Sequence, residues 1–398
     1  MKRYEDVSFL KGLACLAVLI THWLGAFGSF GNHWVDVVMS VGPFPVLTYG
    51  TVALSLFFML SGMLMSEKVY ENRFSSWSRE IVRRYVRLMI PVLITSAMAL
   101  LLFRGNLFFC QQAAELMGNE WLGSYYGELP GWGTLIKKAL FETIFLGDAV
   151  YYGPFWMLRY TFFGSIFSLI LALCIRECTL RGKLLLFAFL TALMIDLDSH
   201  YLCFVLGSYL PLLWKKIRTW IPGCACDGKQ ESVSDKETAS RRNRRGFLLG
   251  ILVLTAGIVL ARKSFSLAAA AAGRGVENAF GNASFYGIFA SVLFIVGMRL
   301  FWEHGWNRLP CWLNRPILWL GEHSMGVYLL HWLIICSFSC WFYCRFAARG
   351  ESMAVGLNLL LTLAVTGTGA WLFEWLVERK AVAFLEHWMK RHAIFREE

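Results

Sequence analysis

Apolar runs of about 20 residues, the length that crosses a hydrocarbon core of roughly 30 Å as a helix, recur from one end of this chain to the other. Such a chain must satisfy its backbone hydrogen bonds inside helices, because lipid supplies no partners. Composition agrees with that constraint. Of 398 residues, 57% are hydrophobic and 16% charged, and the mean hydropathy of +0.52 leaves too little polar surface to face water. The expected fold is all-α: a polytopic membrane helix bundle of about ten transmembrane helices. The apolar runs put them near 8–28, 47–66, 84–103, 155–175, 183–198, 199–214, 246–262, 284–301, 316–340 and 354–376. Only a short polar break at Asp196, Asp198 and His200 separates the fifth from the sixth.

The basic residues orient this bundle. With the N-terminus in the cytoplasm, 28 Lys and Arg fall on the cytoplasmic side and eight on the other. The positive-inside rule then places both termini in the cytoplasm. It also accounts for the net charge of +11 through membrane topology and anionic lipid headgroups, and no nucleic-acid partner is expected. One transmembrane domain is expected over 1–380, followed by a cytoplasmic tail over 381–398. The polar stretch 218–245 reads as a flexible cytoplasmic linker. Residues 104–154 read as the longest outer loop, in which Trp121, Tyr125, Tyr126 and Trp132 either seat at the membrane interface or stack on a sugar. Within it, the run from Lys137 to Gly147 is too short to span and reads as interfacial or dipping inward. Lys11 interrupts the first apolar run, which argues against a cleaved signal peptide. The 11 cysteines mostly sit within spans as small apolar residues; Cys110 and Cys344, both near the outer face, are candidates to pair. No motif demands a metal.

Ionisable groups at membrane depth are costly and mark functional sites. Lys11 and His22 lie eleven residues apart, close to three turns, and so within about 20° of each other on one helix face. At 1.5 Å per residue Lys11 sits about 5 Å from the cytoplasmic end and His22 about 21 Å. An imidazole can take a proton from a hydroxyl at neutral pH, so His22 is the candidate catalytic base, against a plain interhelical hydrogen bond. Arg84 and Arg87, at i and i+3 before Pro91, share a face and suit a phosphorylated ligand such as coenzyme A, beside the simpler reading as topology charges. In the ninth span Ser324, Tyr328 and His331 fall at i, i+4 and i+7, within about 60° on one face. His331 reaches a depth of some 22 Å, like His22, so both imidazoles are expected to face one cavity. It is the second catalytic candidate; Ser324 and Tyr328 line the cavity or form a hydrogen-bonded seam. Glu374 and Glu378, near the cytoplasmic end of the last span, are natural partners for Lys11 or Arg84 and read chiefly as structural ion pairs.

These residues resemble acyltransferase family 3, polytopic membrane proteins that transfer acyl groups, usually acetyl, to hydroxyls of cell-surface glycans and related acceptors. The R-Y-E-D-x4-L-K-G-L-A opening that leads to His22 is similar to the family's basic-x10-His motif. The segment F57-F-M-L-S-G62 resembles its second-span signature, and Arg84 and Arg87 fall on its Arg-x2-Arg motif. The run from Leu320 to His331 resembles its Ser-x3-Tyr-x2-His segment, and Glu378 its closing Glu. Each motif is weak alone; five in order over residues 1 to about 380 are strong. Two departures stand out. Lys11 replaces the usual arginine, and Thr161 replaces a common glutamate in the Trp156-x-Leu158 segment, at what is expected to be an outer position.

The resemblance implies a stand-alone, multi-pass O-acyltransferase, expected in a bacterial cytoplasmic membrane, with acetyl-CoA or another acyl-CoA as donor and no permanently bound cofactor. It implies donor phosphates on Arg84 and Arg87, with Lys11 assisting, catalysis by His22 and His331, and Ser324, Tyr328, Glu374 and Trp156 lining the substrate cavity. Membrane lipids, acyl-CoA and a glycan or other hydroxyl acceptor are the expected partners. The competing class is a transporter or flippase for an anionic solute or lipid-linked sugar, which internal inverted repeats would favour; none is visible.

Overall fold

The structure is a computed structural model and describes residues 4–28, 50–74, 76–197, 199–221, 233–272, 280–305, 310–347 and 352–391. Among them there is helix and no strand. In chain order these are α1 (Glu5–Phe27), α2 (Gly50–Tyr70), α3 (Trp77–Arg104), α4 (Cys110–Met117), α5 (Glu120–Gly123) and α6 (Trp132–Lys137). A π-helical segment Lys138–Leu146 and a 3₁₀ turn Gly153–Phe155 lead into α7 (Trp156–Glu177), α8 (Leu180–Asp196), α9 (Tyr201–Trp220), α10 (Val233–Ala272), α11 (Phe280–Gly305), α12 (Cys311–Glu322) and α13 (Ser324–Ile334). Two π segments, Ile335–Ser339 and Tyr343–Ala347, flank α14 (Cys340–Phe342); α15 (Ser352–Phe373) passes through a π segment, Glu374–Glu378, into α16 (Arg379–Arg391).

The all-α polytopic expectation holds: eight helical stretches among the described residues are long and apolar enough to cross a membrane. The fifth and sixth expected spans are the exceptions. Helix α8 has only 17 residues, and α9, with 20, carries Lys215, Lys216 and Arg218 in its last turns. Local signals explain several boundaries. Ser76 caps α3 by accepting the Arg79 amide at 3.3 Å, and Thr179 caps α8 by accepting the Gly182 amide at 3.3 Å.

The polar stretch expected as a linker has its middle, 222–232, outside the described residues. From Val233 onward it is already helix α10, continuous with the following span. The expected tail likewise contains structure. Ala381, Leu385 and Met389, spaced by four, make one face of α16, and Leu385 and Met389 pack on Val82 and Val86 of α3.

The chain divides into two units. The first comprises residues 1–18, 41–73 and 167–322, the second 19–40, 74–166 and 323–398. In the first, α10 pairs along α11, and α2 packs on α9 and α11. Arg299 of α11 lies between two carboxylates there, with Nε 2.9 Å from Asp6 and Nη2 3.0 Å from Glu67, all three nearly buried. Such desolvated charges persist only when paired. The same unit has a cleft of about 670 Å³ rimmed by Arg176, Lys183, Lys215 and Arg218.

In the second unit a single core gathers Trp23 and Phe27 of α1, Leu88 and Val92 of α3, Tyr152 and Phe155, and Leu329, Leu330, Trp332 and Leu333 of α13. Helix α13 packs closely on α15 because residue 326 is glycine: a Cβ there would come within 2.9 Å of the Ala370 carbonyl oxygen. The run from Lys137 to Gly147 packs against α3 at the level of Tyr85, whose hydroxyl donates to the Leu140 carbonyl at 2.7 Å. Irregular backbone of this kind is tolerated at membrane depth only when protein covers it. The candidates Cys110 and Cys344 do not pair; both are free thiols, and Cys110 Sγ lies 3.4 Å from the Tyr125 carbonyl oxygen.

Candidate active site

Helix α1 ends just beyond His22, and its last carbonyls are held by a side chain: Asn119 Nδ2 donates to Gly25 at 2.8 Å and to Ala26 at 3.1 Å. This satisfies acceptors that a helix C-terminus leaves open. Trp23 Nε1 donates to Asn358 at 3.1 Å, which fixes the rotation of the same turn against α15. His22 is thereby presented to α13, where His331 is fully buried.

The two imidazoles meet. His331 Nε2 lies 3.3 Å from His22 Nδ1, with ring centroids 5.0 Å apart. The far side of His331 decides the direction of that bond. Its Nδ1 faces the carbonyl oxygens of Tyr328 at 2.8 Å and Val327 at 3.1 Å. Two acceptors require a hydrogen on Nδ1, which leaves Nε2 as the lone pair. His22 Nδ1 therefore donates to His331, and the lone pair of His22 is on its Nε2. A base whose second nitrogen is held by an acceptor keeps one tautomer, and its cation is stabilised once it takes a proton; this is the role an orienting group plays in a catalytic triad.

Tyr152 completes the setting. Its hydroxyl donates to the Tyr328 carbonyl and lies 3.0 Å from His331 Nδ1. The Tyr328 hydroxyl donates to the Pro154 carbonyl at 2.6 Å, which ties α13 to the 3₁₀ turn. Tyr328 therefore serves as a support, with its hydroxyl and its carbonyl both engaged. A wall of rings lies alongside: Trp332 has its centroid 5.5 Å from His22, 5.2 Å from Trp121 and 4.7 Å from Tyr125. Trp121 is 42% exposed and Trp332 only 1%, so the wall runs from the surface inward. Tyr126 is buried instead, stacked on Phe108 at 3.8 Å, and Trp132 is exposed.

The other expected site residues lie elsewhere. Half-buried Arg84 donates to the Thr161 carbonyl at 3.4 Å, so Thr161 stands beside this arginine. Arg87 is exposed and lies within electrostatic reach of Glu378. Glu374 pairs with His323 Nε2 at 3.1 Å and Arg379 Nε at 3.0 Å. Ser324, half-buried, begins α13, and Trp156 is exposed with its ring against Tyr160 at 6.0 Å. Lys11 is on α1 eleven residues before His22, in the first of the two units.

A family profile describing an acyltransferase domain matches residues 4–372. The chain belongs to acyltransferase family 3. No curated protein and no solved structure matches it. With its apolar helices, membership makes this a multi-pass membrane acyltransferase. For a family 3 chain, the sequence reading missed Tyr152 and Trp332. Tyr152 carried one usable signal, its place before the Gly153-Pro154 turn; Trp332 carried only its adjacency to His331.

Proposed function

We propose that this acyltransferase moves an acyl group, acetyl in the first instance, from acyl-CoA to a hydroxyl of a cell-surface glycan or related acceptor. The observation that carries the reading is the bond between His22 Nδ1 and His331 Nε2, because it leaves His22 Nε2 as the base. In the proposed reaction His22 Nε2 takes the proton of the acceptor hydroxyl as its oxygen attacks the thioester carbonyl carbon. The tetrahedral intermediate collapses with loss of the thiolate, which takes the proton back from His22 and leaves as free thiol. His331 holds the His22 ring throughout and stabilises its cation. The phosphates of the donor rest on Arg84 and Arg87, approached from the cytoplasm; the exposure of Arg87 suits a soluble donor. The acceptor enters along Trp121 and Tyr125. A transporter has no use for an oriented base, which makes it the weaker reading.

The test is thiol release from acetyl-CoA by membranes containing the protein. His22→Gln keeps hydrogen bonding but takes no proton at neutral pH, and should lower turnover about 10²- to 10⁴-fold at normal abundance. Thiol release by the Gln variant at more than about a tenth of the native rate would contradict general-base catalysis. Absence of release by the native protein with every acyl-CoA tried would favour transport.

A further inference from the structure

Residue 332 follows His331 on α13, and its side chain also faces His22, by another edge of chemistry. Trp332 is 1% exposed, and its Nε1 has no hydrogen-bond partner among the described residues. A buried indole N–H ordinarily finds one, so this donor calls for an explanation. The ring is not free to turn in search of a partner. His22, Trp121 and Tyr125 pack around it at 5.5, 5.2 and 4.7 Å between centroids, and its backbone N–H is bound to the Tyr152 hydroxyl at 3.4 Å.

The residue that faces Nε1 is a glycine. A Cβ on Gly153 would lie 3.4 Å from Trp332 Nε1 and 2.8 Å from the Tyr125 ring, so any side chain at 153 would cover the indole N–H. The turn that carries this glycine is held by the bond from the Tyr328 hydroxyl to the Pro154 carbonyl, which lies next to it. Backbone, ring and unpartnered donor thus come together beside the base.

The geometry points to the Trp332 indole N–H as the donor that binds the carbonyl oxygen of the acyl group and stabilises the oxyanion formed on attack. This rests on the acyl transfer at His22 proposed above. The electrons balance without a further reactant. The hydroxyl oxygen, losing its proton to His22, bonds to the carbonyl carbon; the C=O π pair moves onto oxygen, where the indole N–H meets it. The pair then returns, the C–S bond breaks, and the thiolate leaves with the proton from His22. An indole N–H is a donor only, and neutral. It binds a ground-state carbonyl weakly and an oxyanion strongly, which is the difference that accelerates a reaction.

The experiment exchanges one atom group. Trp332→3-benzothienylalanine replaces N–H by sulfur in a ring of the same shape, and Trp332→7-azatryptophan keeps the N–H. With purified protein, acetyl-CoA and a hydroxyl acceptor, the sulfur variant should lose about 10²- to 10³-fold in kcat, with both KM values within about 2-fold of native. The aza variant should stay within about 3-fold of native, and Gly153→Ala should fall in kcat as the sulfur variant does. A sulfur variant within about 3-fold of native kcat overturns the assignment. So does a rise in acceptor KM at unchanged kcat, which would make the N–H a ground-state contact to the acceptor. His22→Gln is assayed beside them. If it turns over like the native protein, the acyl-transfer reading itself fails; if it is inactive while the sulfur variant is active, only the role of Trp332 fails.

Discussion

His331→Leu removes the acceptor that holds His22 Nδ1 and leaves a side chain of similar bulk in a fully buried place. In the native protein that acceptor does two things: it selects the tautomer of His22 and supports the imidazolium after proton transfer. A hydrogen bond to a charged group contributes roughly 1.5 to 3 kcal/mol, so kcat should fall about 10- to 150-fold, with donor KM nearly unchanged. His331→Gln makes the sharper comparison. Its amide can donate to the Tyr328 carbonyl while its oxygen accepts from His22, so it should recover most of the loss. The expected order of turnover is native, then His331→Gln, then His331→Leu, then His22→Gln. Thiol release from acetyl-CoA, measured on detergent-purified protein that elutes as one species, reads this order directly. A His331→Gln variant as inactive as His22→Gln would mean that His331 itself carries the proton. A His331→Leu variant at native rate would mean that the 3.3 Å contact orients nothing.

Arg84→Ala and Arg87→Ala should raise the donor KM by about 10- to 150-fold, from the same range of charged hydrogen-bond energies, as read by initial rates at varied acetyl-CoA. An unchanged KM would direct attention to the basic cleft of the first unit, where Lys183 and Lys215 would be the next pair to remove. Arg299→Met leaves Asp6 and Glu67 facing each other without their cation, and should cost about 3 to 5 kcal/mol, seen as a lowered melting temperature in detergent. Adding Asp6→Asn and Glu67→Gln should restore much of it, and an unchanged melting temperature in the single variant would refute the argument. Acid should loosen the segment after α6. The Lys137 and Lys138 ammonium groups hold the Glu142 carboxyl below its usual range, so its contribution is present above that range and is lost as pH falls through the lowered value. Asp148, then Glu142, holds the Lys138 ammonium above its usual range, so that contribution persists up to strongly alkaline pH. Hydrogen exchange of amides 138–148, corrected for intrinsic rates, should show protection falling at acid pH and unchanged from neutral to mildly alkaline pH; uniform protection down to about pH 3 would contradict this.

The fold class was legible because lipid removes alternatives: an apolar run of spanning length can be only a helix. Boundaries set by composition were less secure. Residues 233–245 and 381–391 are polar enough to read as linker and tail, yet the first continues an apolar helix and the second has the i, i+4, i+8 face of Ala381, Leu385 and Met389. That face was present in the sequence and was outweighed by charge. The meeting of His22 and His331 followed from counting residues at about 1.5 Å each, since equal depth in adjacent helices permits contact. No such arithmetic reaches Arg299. Its partners are 293 and 232 positions away, and all three charges sit where a charge also serves topology. Tyr152 and Trp332 were hidden for a different reason. In a chain that is 16% aromatic, one more ring next to an apolar helix carries no signal until its neighbours are known.

The choice of histidine at 331, where soluble hydrolases usually place a carboxylate, follows from the surroundings. A carboxylate at full burial would demand a cation beside it, as Glu67 and Asp6 demand Arg299, and a cation beside His22 would oppose the very proton transfer it is placed to perform. A neutral imidazole supplies an acceptor without that requirement, provided that something holds its own proton on the far nitrogen. The helix itself supplies two acceptors for it, because the Val327 and Tyr328 carbonyls lie one turn back on the same α13, and the Tyr152 hydroxyl lies beside them at 3.0 Å. The tautomer of the base is therefore set by backbone geometry. The next residue on that backbone is Trp332, so any shift of α13 that misaligned the acceptor for His22 would also move the indole donor. Three residues further on begins the π segment Ile335–Ser339, in which the Cys336 carbonyl accepts the Phe109 amide at 3.0 Å. That bond fastens α13 to the chain just before α4. The segments that carry Asn119 and the Trp121–Tyr125 wall follow directly, so base, orienting acceptor and acceptor path are held in one register.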